Sequence, residues 1–429
     1  MTNNLTASLL EFIDNSPSMF HAASSISALL EEQSFTYLDP KSNWEIQEGG
    51  KYYTTANNSA VIAFKVNSQN VESDGFKIVG AHTDVPGFRI KPNPQMSNDS
   101  YIKLNTEVYG GPIINTWLDR PLSAAGRVAL RSNNPLHPVL KLVDLKEPIL
   151  IIPNLAIHMN REVNNGIKLN NQKETLPILA YAKENLASNA ILELVAKELE
   201  VSTEDILDMD LFLYPAEKGC LVGLDKQFIS SARLDDLSMV YSGIYGLLNG
   251  TSSKGISVLA CFDNEEIGSR TKQGADSPLL VSTLERIALS LDKSREELFR
   301  AFAQSFIISA DVAHLAHPNY IEKSDPTNKV LPGHGPAIKI NANCSYTTDS
   351  DSFAVFAALC QASNIPYQTF LNRSDERGGS TIGPVSASHL PIRSVDIGTP
   401  MLSMHSAREL MTSDDFIYTC QALNAFYSL

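Results

Sequence analysis

Five places in the chain deliver a histidine or a carboxylate at the end of an apolar run or at the start of a helical pattern. His82 and Asp84 follow the run Phe76–Gly80. Asp235 and Asp236 precede the stripe Leu237, Val240, Ile244 and Leu247. Glu265 and Glu266 follow Ile256–Phe262, Asp311 follows Ser305–Ala310, and His405 follows Met401–Met404. In an open α/β sheet, ligand sites form beyond the carboxyl ends of the strands, so all five places could meet in one cleft.

Two histidines and three carboxylates make a mixed nitrogen and oxygen donor set. Imidazole suits zinc, and carboxylates bridge divalent ions. Five ligands exceed what one open catalytic zinc needs. They suit two metals about 3.5–4 Å apart that share a bridging carboxylate, here Asp235. On a regular strand Glu265 and Glu266 would point to opposite faces. They can share a cleft only if the chain turns, which Ile267-Gly268 permits. One could then ligate metal while the other takes the proton of a water. His82-x-Asp84 fits the same chemistry, because a ligating imidazole needs its other N–H held by an acceptor.

Each feature has a plainer reading. His-Thr-Asp is often a polar turn, and a Glu-Glu pair is often a solvated surface. Asp311 and Asp235 could cap helices, and His405 could be a satisfied core histidine. The case rests on their shared placement at element ends.

The elements around them follow from periodicity. Helices are expected near Leu5–Phe12, around Ile26–Leu30, and over Asp235–Leu248, Leu279–Leu291, Ser352–Ala362 and Ser413–Phe426. Strands are expected at Ala60–Phe64, Phe76–Gly80, Ile256–Phe262, Ser305–Ala310 and Pro400–Met404. Between about Pro92 and Tyr214, turn formers recur around short strand-like runs such as Gly126–Leu130 and Pro148–Ile152. A helical stripe at Ala187–Glu200 interrupts them. The expected fold is α/β: a mixed, mostly parallel sheet covered by helices, with an inserted β-rich domain. The expected boundaries are residues 1–90 and 217–429 for the α/β domain and 91–216 for the insertion.

Composition narrows the classes. The chain has 429 residues and a net charge of −14, which disfavours nucleic acid as a partner. Its five cysteines are widely spaced without a C-x-x-C pair, which reads as reduced thiols. No run of about 18 apolar residues exists, so no membrane span is expected. The start, Met1-Thr2-Asn3-Asn4-Leu5, lacks the basic and apolar regions of a secretory leader.

The motifs match a known pattern. Gly80-Ala81-His82-Thr83-Asp84-Val85-Pro86-Gly87 resembles the G-A-H-T-D-x-P segment of the aspartyl aminopeptidase family, cytosolic di-zinc metallopeptidases. Arg233-Leu234-Asp235-Asp236-Leu237 is similar to its R-L-D-N-L. Asp263-Asn264-Glu265-Glu266-Ile267-Gly268-Ser269 is similar to its D-x-E-E-I-G-S. Asp311-Val312-Ala313-His314-Leu315-Ala316-His317-Pro318-Asn319 resembles its D-x-A-H-x-x-H-P-N. Gly379–Pro384 and Met404–Glu409 complete six ordered motifs across nearly the whole chain.

The resemblance implies that His82, Asp235, Glu266, Asp311 and His405 ligate two zincs per subunit, with Asp235 bridging; manganese and cobalt are alternatives. Glu265 would be the general base for a di-zinc-activated water, and Asp84 would orient His82. The insertion would make dimer contacts. His158 would help bind substrate across a subunit interface, against the plainer reading of a strand-end histidine. The family name implies removal of N-terminal Asp or Glu from peptides. Lys339 could supply the cation for that residue, against the plainer reading of an ordinary strand lysine. A cytoplasmic homo-oligomer, a dodecamer built from dimers, is implied too.

Three features depart from the pattern. Asp236 stands where Asn is frequent, which adds a charge beside the metals unless it points away. Pro121 replaces an acidic residue, and Cys344-Ser345 replaces a polar, basic pair. The last two leave a neutral-residue aminopeptidase open. A related di-metal amidohydrolase or carboxypeptidase, and a non-enzymatic scaffold, are the other readings.

Overall fold

A computed structural model describes residues 2–166, 168–181, 189–376 and 378–429. Contacts divide the chain into two compact units. One comprises Met1–Asp84, Gly219–Met404 and Glu409–Leu429; the other comprises Val85–Lys218 and His405–Arg408.

The first unit is built on a nine-stranded sheet. Its strand order is Thr36–Tyr37, Lys51–Ala56, Ala60–Val66, Ile256–Phe262, Phe76–His82, Phe306–Ala310, Arg393–Gly398, Ala337–Lys339 and Gln368–Phe370. Ile256–Phe262, Phe76–His82, Phe306–Ala310 and Arg393–Gly398 run parallel. Antiparallel neighbours flank them at Ala60–Val66 and Ala337–Lys339.

Both faces of this sheet are buried, and the residues alternate between two cores. Leu259 and Cys261 join one cluster, with Val79, Ala81, Ile308 and the helices Met19–Glu32, Leu234–Asn249 and Ser413–Phe426. Ile256, Val258, Ala260 and Phe262 join the other, with Phe76, Ile78, Ile307 and the helices Leu279–Ser290 and Arg295–Gln304. A strand covered on both faces is mostly apolar, which is why Ile256–Phe262 reads as an apolar run broken only by Ser257. A smaller five-stranded sheet in the same unit includes Phe228–Ser231, Glu409–Thr412, Pro400–Leu402 and Ala313–His314.

The second unit is a six-stranded antiparallel sheet in the order Val139–Asp144, Leu122–Leu130, Ile206–Pro215, Gly87–Asn98, Tyr101–Tyr109 and Ile178–Tyr181. The helix Ala190–Leu199 buries Ile191 and Val195 in its core. Ala187 and Ser188, at the start of the helical stripe read from sequence, lie outside the described residues.

Two sequence expectations need correction. Pro148–Ile152 is not a strand; only Leu150 and Ile151 make isolated bridges. Pro148 and Pro153 bracket this run, and each lacks the N–H a ladder needs. The late strand ends at Leu402. Ser403 and His405 adopt left-handed backbone (φ 56° and 67°), so the chain turns before the histidine. No helix among the described residues is long and apolar enough to cross a membrane.

Candidate metal centre

The carboxyl ends of the parallel strands set the site. His82 is the last residue of its strand and stands in register with Phe262, while the Thr83 N–H donates to the Phe262 carbonyl. The chain beyond Phe262 then turns sharply. Asn264 is left-handed (φ 64°), Glu265–Ile267 forms a single 3-10 turn, and Gly268 is left-handed (φ 96°). This turn lets Glu265 and Glu266 share one side, where each offers a donor atom within 4.8 Å of His82. Asp311 follows the strand Phe306–Ala310 directly. Its backbone lies so close to Gly398 that a Cβ there would fall 2.2 Å from the Asp311 carbonyl oxygen.

Asp235 and Asp236 enter from Leu234–Asn249. Arg233 is left-handed and both aspartates have non-helical dihedrals, so the regular helix begins after them. Both carboxylates join His82 and Asp311 in a cluster of four donors that all lie within 4.8 Å of one another. His82 Nε2 stands 3.4 Å from Asp235 Oδ1 and 3.9 Å from both Asp236 Oδ2 and Asp311 Oδ1. These spacings are long for hydrogen bonds.

Asp84 organises the cluster from behind. The His82 Nδ1–H donates to the Asp84 carbonyl oxygen at 3.0 Å, which fixes the tautomer with Nε2 facing the carboxylates. The Asp84 carboxylate, fully buried, accepts the backbone N–H of Glu265 (3.0 Å) and of Glu266 (3.1 Å). One residue therefore places both the imidazole and the glutamate turn. Two further acids contribute through backbone amides, a role that residue type and spacing did not show. Asp236 does not point away: its Oδ2 accepts the His82 N–H at 3.0 Å. Glu409, 2% exposed, accepts the Asp235 N–H at 3.1 Å. The signal available for Glu409 was its place in the Met404–Glu409 motif.

The electrostatics follow from burial and crowding. Burial alone would lower the pKa of His82, but Asp236, Asp235 and Asp84 outweigh it and hold the ring well above its ordinary value. Burial drives Asp236 well above the carboxylate range; His82 opposes this, and Asp311 and Asp235 add to it. Glu265 is pushed up to about 7, chiefly by burial, with His82 opposing and Asp311, Asp84 and Asp235 adding.

This is the environment a divalent cation relieves. Two ligands on a tetrahedral zinc stand about 3.4 Å apart, given bond lengths near 2.1 Å, and the His82–Asp235 spacing matches that edge. Asp236 Oδ1 is buried and accepts no hydrogen bond from the described residues. The donors present therefore fit zinc.

The remaining candidates are Lys339, His405 and His158. Lys339 is buried (3% exposed), with Nζ 3.2 Å from Asp311 Oδ2 and 5.5 Å from the centre of the Tyr346 ring. Burial opposes its charge, but Asp311, Tyr346 and Asp396 raise its pKa above the ordinary lysine value. Phe370, opposite Lys339 in the sheet, lines a cavity of about 300 Å³ together with His314, His317, Asn328, Asn372 and Ser403. His405 belongs to the second unit, where its Nδ1–H donates to the Gly111 carbonyl oxygen at 3.0 Å. His158 lies in an exposed single turn, Ile157–Met159, of that unit.

An α/β sheet with a histidine–carboxylate cluster beyond its strand ends is the arrangement of a metal-binding enzyme site. Residues 12–427 match the profile of the aminopeptidase I zinc metalloprotease family, M18. The chain belongs to this family, and it is a zinc aminopeptidase. A probable M18 family aminopeptidase 2 from Clostridium novyi is 56% identical over 423 residues, covering 98% of each chain. The protein of the same description from Ectopseudomonas mendocina is 42% identical over 431 residues, covering 100% of this chain and 99% of that one. Among solved structures, the cryo-EM structure of the Ape4 and Nbr1 complex superposes with a TM-score of 0.95. It is 35% identical and covers 99% of this chain and 86% of that one. The S. cerevisiae mApe1 dodecamer gives a TM-score of 0.85 at 28% identity, covering 98% and 96%.

Proposed function

We propose that the protein removes N-terminal acidic residues, Asp or Glu, from peptides, with Glu265 as the general base. His82, Asp235, Glu266, Asp311 and His405 would hold two zincs, with Asp235 bridging. Bound zinc supplies Lewis acidity toward the scissile carbonyl and lowers the pKa of water. The observation that carries the reading is the grip of Asp84 on Glu265 and Glu266. It fixes two adjacent glutamates by their backbones and leaves their side chains different tasks. Glu266 takes the ligand role, and Glu265 takes a proton and returns it to the leaving amine.

Support for the acidic preference comes from Lys339, whose buried ammonium borders Asp311. His405 fits the ligand role because the Gly111 carbonyl holds its Nδ1–H and so orients the ring. The S. cerevisiae mApe1 structure is described as a dodecamer. We extend a homo-oligomer of that kind to this chain, with the second unit making dimer contacts and His158 reaching a neighbouring site.

The experiment is hydrolysis of Asp-, Glu-, Leu- and Ala-anilides by purified protein, with added zinc, manganese or cobalt and after chelation. Metal-dependent cleavage favouring the acidic anilides is the expected result. Cleavage of neutral anilides alone would discard the acidic preference. Cleavage of substrates with a blocked N-terminus would favour an amidohydrolase.

A further inference from the structure

Asp396 is fully buried on the central strand Arg393–Gly398, and the mechanism above does not use it. Its carboxylate gathers donors from a loop and from the N-cap of the helix Ile382–His389. Thr347 gives Oδ2 both its N–H (2.6 Å) and its hydroxyl (2.8 Å), and the Thr381 hydroxyl donates to Oδ1 at 2.6 Å. The Asp396 N–H in turn donates to Thr348 Oγ1 at 2.9 Å. Gly383 packs against the same carboxylate, where a Cβ would lie 2.5 Å from Oδ2. A buried carboxylate is retained only where such donors satisfy it.

The register identifies what these bonds serve. Ala337 pairs with Gly398 and Ile338 with Ile397 in antiparallel fashion. Continuing that pairing sets Lys339 opposite Asp396, where side chains of facing residues share one side of the sheet. Lys339 also meets Asp311 and the face of Tyr346, and Tyr346 precedes the Thr347 that Asp396 holds. Asp311 belongs to the metal cluster and Asp396 does not.

We propose that Asp396 is a positioning residue for substrate specificity. It is a second carboxylate facing Lys339 across the strand pair, and it ties the Tyr346–Thr348 loop to the N-terminal turn of the helix Ile382–His389 beside that ammonium. The inference rests on the reading of Lys339 as the cation that receives an acidic first residue.

The test uses zinc-loaded full-length protein and compares wild type, Asp396→Asn, Lys339→Met and the double variant on Asp- and Ala-anilides. Zinc content and melting temperature are measured alongside. Asp396→Asn is expected to raise KM for the Asp-anilide about tenfold, to leave kcat on the Ala-anilide within about twofold, and to keep full zinc. In the Lys339→Met background it is expected to add nothing. If Asp396→Asn does not fold, Thr381→Val, which removes one donor, is expected to give a smaller KM shift of the same pattern. An equal loss of kcat on both substrates, or an effect that persists without Lys339, overturns the inference. An unchanged KM for the Asp-anilide in Lys339→Met overturns the specificity reading itself. A raised KM there with no effect of Asp396→Asn overturns this inference alone.

Discussion

The Asp84 carboxylate accepts the backbone N–H of Glu265 at 3.0 Å while the carbonyl oxygen of Asp84 holds His82 Nδ1 at 3.0 Å. One buried residue thus couples a histidine at the end of one strand to a glutamate turn at the end of its neighbour. Replacing Asp84 with Ala removes the carboxylate that holds the glutamate turn and keeps the backbone carbonyl that holds His82. Zinc affinity is expected to fall by about 10–100-fold, the usual cost of losing a hydrogen-bond partner that supports the metal ligands from behind. Metal content after dialysis, alongside kcat, checks this; a variant that keeps its zinc and turnover would show that the turn holds itself.

Removing metal should invert the usual pH dependence of stability. Asp263 is pushed up to about 7 by burial and by Asp84, and Glu265 up to about 7 chiefly by burial. Unfolded, both carboxyls return to their ordinary range near 4. The folded state therefore binds protons more tightly between about pH 4 and 7, and stability falls as pH rises through that window. The metal-free melting temperature is expected to drop from pH 5 to pH 7.5, and added zinc to restore it by binding only the folded form. A metal-free melting temperature that rises over the same range would contradict this.

Cysteine reactivity should separate two classes. Cys220 and Cys344 are exposed, whereas Cys261, Cys360 and Cys420 are buried. Burial pushes the thiols of Cys360 and Cys420 up to about 12, and that of Cys261 up as well. The thiolate is the reactive form. No more than two of the five thiols should react with a disulfide reagent in the native protein, and all five in denaturant. A third native thiol would mean that a core strand or helix opens.

Core packing gives a further expectation. Ile308 lies on a central parallel strand with no exposure. Ile308→Ala should cost about 2–5 kcal/mol, the usual range for a large-to-small change in a core. Chemical denaturation that follows the first unit measures it; a loss below about 1 kcal/mol would mean that the core collapses around the gap.

The parallel sheet was legible because a strand buried on both faces is mostly apolar, as Ile256–Phe262 is apart from Ser257. The mixed, mostly parallel architecture follows from such runs alternating with helical stripes. Pro148–Ile152 was misread because the run, bracketed by prolines, pairs only at Leu150 and Ile151, each with a different partner. In the site, residue type and position at element ends pointed to His82, Asp235, Glu265, Glu266 and Asp311. What stayed hidden was support through the backbone. Glu409 acts on the amide of Asp235 and Asp236 on the amide of His82. An amide contact leaves no pattern in side-chain spacing. The partnership of Lys339 with Asp311 was hidden for a related reason, since it depends on which strands lie side by side.

The most direct measurement is turnover and zinc content of Glu265→Gln. The substitution keeps the shape of the side chain and the backbone bond to Asp84 but removes the base. The expected result is a loss of kcat of at least about 100-fold, the lower range for general-base catalysis, with zinc near two per chain. Turnover within a few-fold of wild type, at full zinc, would contradict the assignment of Glu265 as the base.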